Sequence, residues 1–570
     1  MQTQPDRKGQ RSSCFIRGFA FIIIGISIFY VLGQIVMPKR FPYDKSTDAA
    51  KLRYYVNEER DSIDALILGT SHPSKGILPM EMYRLYGIKS YNLATSTQPI
   101  QASYYALKEA VRYQHPKVVI WDVSNLYIED VSRWHWKLVA DEMALGVNKI
   151  DYLKEYLEKN ESVGSTGTSA ETESAKNAEE TIYTNLFPLL EYHTRWKELS
   201  KQDFFVWDQK DRDFTKGGQI TSVVGGAISV DEMNSLTNGL LQNNEKIVYE
   251  HYSEGADRTQ ERDVSYSTEI PDENVEWFFK IKDLCDANNI QLLAVKVPAV
   301  EEPQRYSSAW TEAKHHKTKT FCEENGVAFY DLLYDTDIGL DWTKDTNDSG
   351  RHLNLYGAQK VSADLGSYLK EHFELSGEYT EQWDRDLRSY EKVREVALLE
   401  LEQDFVTYID LLTDVFGEST IFITVSDEMT VGLSAADIDA LRNLGLQTDY
   451  TKAVQYSYIV VIENGEVKYE ASSNRPLEYS GVCRRSGKEY ELYSSGWWTV
   501  SKASIQIDGT EYAVNTRGMN IVVYDDSRDL VLDSVAFDTW EEVHTPTRNN
   551  GRINGFAEAF EQYIMEVEDK

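Results

Sequence analysis

Hydrophobic and polar positions follow four regimes along this chain. From Gly18 to Met37, twenty residues carry no charge and are rich in Phe, Ile, Leu and Val. At about 1.5 Å per residue such a helix matches the roughly 30 Å hydrocarbon core of a bilayer. Arg7, Lys8, Arg11 and Arg17 precede the run, and Lys39 and Arg40 follow it. The excess of basic residues on the shorter side predicts a cytoplasmic tail over residues 1–17, a membrane span over 18–37 and the bulk of the chain outside. No small-x-small cleavage site follows, which predicts an uncleaved signal anchor in the plasma membrane. Residues 38–62 are polar and membrane-proximal.

A second regime begins at Asp64-Ala65-Leu66-Ile67-Leu68, a short apolar run that closes on Gly69-Thr70-Ser71-His72. It reads as a buried parallel strand. Lys89 to Leu93 reads as a second strand, Gln98 to Gln114 as an amphipathic helix, and Val118 to Trp121 as a third strand. The alternation stops over residues 130–272, an insertion that is helical at first and Ser/Thr/Glu-rich from Glu161 to Glu180. It then resumes with a helix from Glu273 to Asn288, a strand from Gln291 to Pro298, a helix from Trp310 to Glu324 and a strand from Val327 to Tyr330. His315 and His316 fall on a charged helical face and read as solvated. A last helix follows Asn354, with Ala358, Val361, Leu365 and Leu369 as its apolar stripe. Alternating strands and helices predict an α/β domain with a five-stranded parallel sheet, spanning residues 60–375.

The third regime, residues 381–416, is a charged helical connector whose Leu398, Leu401, Phe405 and Ile409 form one buried stripe. From 418 to 570 the pattern turns to strands. Ile421–Val425, Tyr458–Ile462, Ala503–Ile507 and Asn520–Tyr524 are separated by Asn-Gly, Asp-Gly and Arg-Gly turns, with one helix from Ser434 to Leu444. This predicts a separate, mostly β domain.

Charge and cysteine content narrow the possibilities. Of 570 residues, 93 are acidic and 59 basic, a net charge of -34, which excludes nucleic acid and disfavours anionic lipid as a partner for the bulk of the protein. The four cysteines, Cys14, Cys285, Cys322 and Cys483, show neither metal-ligand nor redox spacing.

Candidate chemistry lies at strand ends. Open α/β sheets bind ligands at the carboxyl edge of their strands, which is where Ser71 falls. His352 follows the loop Asn347-Asp348-Ser349-Gly350-Arg351 and directly precedes a helix entrance at Leu353-Asn354. Within the insertion, Arg195 and Trp196, together with Lys216-Gly217-Gly218, suit an acidic or sugar ligand; the competing reading has Trp196 in the core with Arg195 as its cover.

Gly69-Thr70-Ser71, together with Asp348 to His352, Leu353-Asn354 and Gly357-Ala358, resembles the nucleophile and histidine blocks of the GDSL/SGNH hydrolase superfamily. Thr70 stands where that family carries an aspartate, as does Ser349. Asp348 lies four residues before the histidine and Asp345 seven, so either a triad completed by Asp348 or a Ser-His dyad fits. The resemblance implies a three-layer fold with Ser71 as nucleophile and His352 as base. Its oxyanion hole would be formed by the Ser71 and Thr97 backbone amides and Asn125, with no metal or cofactor.

The C-terminal region resembles, with its blocks in permuted order, the interleukin-like EMT inducer domain. Val425-Ser426-Asp427-Glu428, Leu441-Arg442-Asn443-Leu444-Gly445, Ser495-Gly496-Trp497, Arg517-Gly518-Met519-Asn520 and Phe537-Asp538-Thr539 carry this. It implies a sugar-binding or adaptor role, in which Trp497, Trp498 and Trp540 would stack on a sugar.

The expectation is thus a membrane-anchored esterase or O-acyltransferase, likened to proteins of teichoic acid D-alanylation and alginate O-acetylation. It would act on acyl groups of a cell-surface polysaccharide or teichoic acid-like glycopolymer, beside a membrane-bound O-acyltransferase. Hydrolysis and transfer share an acyl-enzyme and stay open. The rival is a non-catalytic surface adaptor built on a degenerate scaffold.

Overall fold

The structure is a computed structural model that describes residues 7–37, 51–129, 132–163, 183–199, 201–204, 213–223, 269–299, 308–342, 344–347, 350–548, 555–556 and 559. The chain divides into two compact units, residues 1–219 with 225–383, and residues 384–570 with 220–224. The Ser/Thr/Glu-rich stretch of the insertion lies almost wholly outside the described residues.

The first unit opens with helix α1, Arg7–Val36. Its window Arg17–Val36 is long and apolar enough to cross a membrane. A short helix α2, Lys51–Val56, leads to strand β1, Ala65–Leu68, all four residues of which are buried. Helices α3, Ser71–Gly76, and α4, Pro79–Tyr86, precede β2, Ser90–Asn92. Helix α5, Ile100–Ala110, leads to β3, Val118–Asp122. This helix starts later than its apolar spacing predicts because Pro99 occupies the N-cap and fixes an extended entry.

After the insertion come the helix Asp272–Ala287, β4, Gln291–Lys296, the helix Ser308–Glu324 and β5, Ala328–Asp331. The five strands pair in parallel in the order β2-β1-β3-β4-β5. Helices α3, α4 and Leu355–His372 pack together, and α5 packs with Asp272–Ala287. The strand order reverses direction between β1 and β3. Adjacent loops there part to opposite faces and open a crevice at the carboxyl edge. Strands β6, Thr346–Asn347, and β7, His352–Leu353, form a separate antiparallel ribbon with Asn347 opposite His352. A two-residue ribbon has no periodicity to read, and the sequence presented it as loop.

One expectation is overturned here. His315 is buried, its Nδ1 lying 2.7 Å from Asp331 Oδ2 at the end of β5, while His316 is exposed. A helix packed on a sheet hides even a charged-looking position when a strand-end carboxylate satisfies it.

The second unit begins within the helix Glu381–Leu401 and continues with the helix Phe405–Asp414. Ten strands follow. The path β14-β13-β12-β8-β15-β16-β17 is extended by β9 and β10 from β8 and by β11 from β12. Central strands β8, Thr420–Asp427, β9, Ser457–Glu463, and β15, Gly518–Asp525, are buried nearly throughout and carry the apolar runs visible in sequence. Strands β10, Glu466–Ser473, and β11, Leu477–Val482, are polar edge-type strands without such runs, and composition concealed them. Strands β12, Glu489–Gly496, β13, Lys502–Ile507, β14, Thr510–Glu511, β16, Leu530–Phe537, and β17, Pro546–Arg548, complete the sheet. The core centres on Phe422, Ile459, Val461, Leu492, Ile505 and Val522. The helix Ala435–Asn443 is closed by a capping box between Ser434 and Asp437.

One buried acid in this unit gives a pH signature. Phe556 N donates to Glu400 Oε1 at 2.8 Å, yet burial pushes the Glu400 carboxyl up to about 7. The folded chain therefore keeps a proton that the unfolded chain releases near 4.5, so this contribution to stability is full below pH 4.5 and is lost as pH rises toward 7. The loss is on the order of 2–3 kcal/mol. Denaturant titrations at about pH 5 and pH 8 are expected to reveal it, and Glu400→Gln to reduce the difference by about that amount.

Candidate active site

Strand β1 is followed by Gly69, whose φ of 134° a side chain rarely tolerates. A Cβ there would lie 2.9 Å from both Asp122 Cβ and Pro73 Cγ. The glycine lets the β1 turn press against the end of β3 while Ser71 opens α3. Ser71 is half-buried, and its N–H belongs to the first helical turn, whose amides have no intrahelical partner.

The helix carrying Ser71 is pinned from two sides. Asn92, at the end of β2, donates from Nδ2 to Pro73 O at 2.8 Å and Ile77 O at 2.9 Å, and its Oδ1 accepts from Ala94 N at 3.0 Å. Lys51, buried on α2, donates to Ser74 Oγ at 2.8 Å and Ala94 O at 2.7 Å. A buried ammonium thus lies one helical turn from the serine. Neither residue stood out in sequence. The only available signal was a polar residue closing an apolar strand, in Tyr91-Asn92-Leu93.

His352 reaches the same place from the other end of the chain. Asn354 caps the helix Leu355–His372, its side chain accepting from Tyr356 N at 3.0 Å and Gly357 N at 3.4 Å, while its Nδ2 donates to Lys344 O at 2.7 Å. The cap and the β6–β7 ribbon orient the imidazole. His352 Nε2 lies 2.8 Å from Ser71 Oγ across 281 positions of sequence. When the hydroxyl donates to Nε2, the ring proton resides on Nδ1. The His72 ring stands beside it, with centroids 5.6 Å apart.

The remaining candidates are placed as follows. Asp348 lies outside the described residues. Asp345 accepts from Lys360 Nζ at 2.6 Å and Asp341 N at 2.7 Å, so its carboxylate braces the loop instead of the imidazole. Thr97 has a φ of 43°, the left-handed backbone a glycine adopts freely, in the turn after β2.

Asn125 departs from the expected role. It is fully buried, its Nδ2 donates to Ser103 Oγ at 2.9 Å and Gln98 O at 3.3 Å, and its Oδ1 accepts from Trp121 Nε1 at 3.0 Å. Both amide hydrogens are committed to the protein, leaving none for an oxyanion. Asn125→Ala is therefore expected to lower stability by about 1–3 kcal/mol through the groups it strands, with kcat of the folded fraction unchanged. Denaturation and initial-rate measurements check this, since loss of an oxyanion donor would instead lower kcat by about 10²–10³-fold.

Arg195 and Trp196 also depart from expectation. Arg195 donates to Val36 O at 2.7 Å and to Asp203 Oδ1 at 3.0 Å. Trp196 is exposed rather than core, on a short turn beside the end of α1. No contact joins either to Ser71 or His352 among the described residues. Lys216-Gly217-Gly218 is buried against β2, with Lys216 Nζ on Glu58 Oε1 at 2.7 Å, a structural placement that leaves no ligand-facing side chain.

Around the crevice, Asp122 accepts from Ser124 N at 3.1 Å and Val297 N at 2.9 Å, tying β3 to β4, and Lys296 Nζ donates to Ser124 Oγ at 2.8 Å. Among the described residues no group of three or more His, Cys, Asp or Glu is arranged to hold a metal ion. The geometry can perform nucleophilic attack with proton transfer: an alcohol, a base within hydrogen-bond reach and a helix N-terminus at one point. No family model matches the chain, and no curated protein is significantly similar to it.

Proposed function

We propose that this protein is a membrane-anchored, extracytoplasmic esterase or O-acyltransferase of SGNH type. It acts on acyl groups of a cell-surface glycopolymer, beside a membrane-bound O-acyltransferase. The observation that carries the reading is the 2.8 Å approach of His352 Nε2 to Ser71 Oγ at the carboxyl edge of a parallel sheet.

Ser71 Oγ attacks the ester carbonyl carbon as its proton passes to His352 Nε2. The tetrahedral intermediate places negative charge on the carbonyl oxygen, where the Ser71 and Thr97 amides donate. Collapse breaks the carbon–oxygen bond to the leaving alcohol, which takes the proton from Nε2. Water or an acceptor hydroxyl then repeats the sequence in reverse and releases the acyl group. Asp348 is the candidate to hold the Nδ1 proton. The buried Lys51 and Lys296 add positive potential around these loops, which favours the developing anion.

The test uses the full-length chain in lipid nanodiscs with p-nitrophenyl acetate. A burst of p-nitrophenol and one acetyl group on the peptide containing Ser71, found by mass spectrometry after acid quench, is the expected result. Steady background release with no adduct on Ser71 overturns it.

A second reading, a non-catalytic adaptor, draws on two observations. The Asn125 amide is occupied within the fold. In the second unit Trp497, Trp498 and Trp540 are exposed on loops, as suits a sugar-stacking surface of an EMT-inducer-like domain. Glycan binding without acyl transfer would identify it.

A further inference from the structure

Part of the insertion returns to helix α1. The helix Pro188–Tyr192 packs on α1, with the Phe187 and Phe29 rings 5.7 Å apart edge to face. The seam passes over Gly33, whose Cβ position lies within van der Waals contact of Leu189 N at 3.4 Å and Pro188 Cδ at 3.5 Å. The turns His193–Lys197 and Lys201–Phe204 also contact α1, and Arg195 donates to the carbonyl of Val36, the last residue of that helix.

These contacts set a depth. Phe29 precedes Val36 by seven residues, or about 10 Å along the helix axis. Chain packed on Phe29 and Gly33 is therefore level with the apolar window of α1, while chain at Val36 is level with its end. Around this seam Tyr183, Phe187, Leu190, Trp196 and Phe204 expose between 39% and 64% of their surfaces. Lys197 Nζ lies 5.7 Å from the centre of the Trp196 ring. Apolar side chains toward the helix interior, with Trp, Arg and Lys at its end, form the pattern of a segment lying in a bilayer interface. Phe21, Ile24 and Ile28 of α1, the helix this segment packs on, are exposed as well, so a bilayer that covers α1 also reaches the segment.

We propose that residues 183–199 and 201–204 insert into the interface of the lipid leaflet next to the folded unit. They form a second membrane contact that fixes the Ser71 unit against the bilayer surface. This rests on α1 being a membrane anchor.

The experiment uses the full chain with Cys14→Ser, reconstituted in phosphatidylcholine–phosphatidylglycerol vesicles. The other three cysteines are buried, and burial pushes their thiols up to about 12, so they stay unlabelled. Single cysteines carrying an environment-sensitive fluorophore are placed by Phe21→Cys, Leu190→Cys and Trp196→Cys, and by Glu324→Cys at an exposed helix end as control. Nitroxide-labelled lipids are expected to quench the first three at least about twofold and to spare Glu324→Cys. Quenching at position 21 alone overturns the inference and leaves the anchor intact. Failure at position 21 removes the anchor and the inference with it. Probes at 190 and 196 shielded from aqueous iodide yet unquenched by lipid would mean that protein covers the patch, which also overturns it.

Discussion

Ser71→Ala is expected to lower p-nitrophenyl acetate turnover by at least about 10³-fold, and His352→Ala by a comparable factor, with the double variant no worse than either. The non-additivity is the informative part. A serine and a base that act as one unit lose the whole nucleophilic route when either is removed, whereas two independent binding residues would multiply. Both side chains are half-buried on rigid supports, Ser71 on the first turn of α3 and His352 on β7. Neither fills the core, so unfolding midpoints of the variants should stay near wild type, separating lost chemistry from lost fold. Equal rates in wild type and both variants would remove the enzymatic reading.

The largest stability effect is expected at Lys216→Met. Its side chain is 0% exposed and that of Glu58 2%, with Nζ and Oε1 2.7 Å apart, and the ammonium lies 4.8 Å from the centre of the Trp383 ring. Removing one member of a buried ion pair takes the counter-ion from the other charge and typically costs about 3–5 kcal/mol. Activity should fall as well, because the Lys216 turn supports the serine helix. Asp213 holds that turn through Thr215 N at 2.9 Å and Gly217 N at 2.6 Å; Lys216 O accepts from Asn92 N at 2.8 Å, and Gln219 N donates to Ser74 O at 3.0 Å. Denaturant unfolding of Lys216→Met, beside Lys216→Met with Glu58→Leu, checks the mechanism. The double variant should recover part of the loss, since it removes both charges together.

This turn also marks where sequence reading stopped. Lys216-Gly217-Gly218 looked like a ligand loop because Gly-rich basic stretches often are. A sequence does not reveal that Glu58, 158 positions away, awaits the ammonium. Asn125 was misjudged for a related reason: a loop asparagine after a strand suits an oxyanion, but whether its amide is free depends on Ser103 and Gln98 from a neighbouring loop and helix. Arg195 and Trp196 promised a sugar site through their types, and their surroundings are the end of α1 instead.

What the chain determined by itself was local. Uninterrupted apolar runs encoded α1 and the buried strands of the parallel sheet, and the period of apolar positions encoded the helices between the strands, because each of those must hide one stripe. Asn354 and Ser434 announced helix starts because a cap needs only its own next three residues. The carboxyl-edge position of Ser71 followed from strand direction alone. Tertiary structure alone decided the rest. It brought Ser71 and His352 to 2.8 Å, set Lys51 and Asn92 beneath the serine helix, closed polar edge strands onto the β unit and folded the insertion back onto α1. Each depends on partners distant in sequence, and pairings of that kind leave no periodicity or cap in either partner's own neighbourhood.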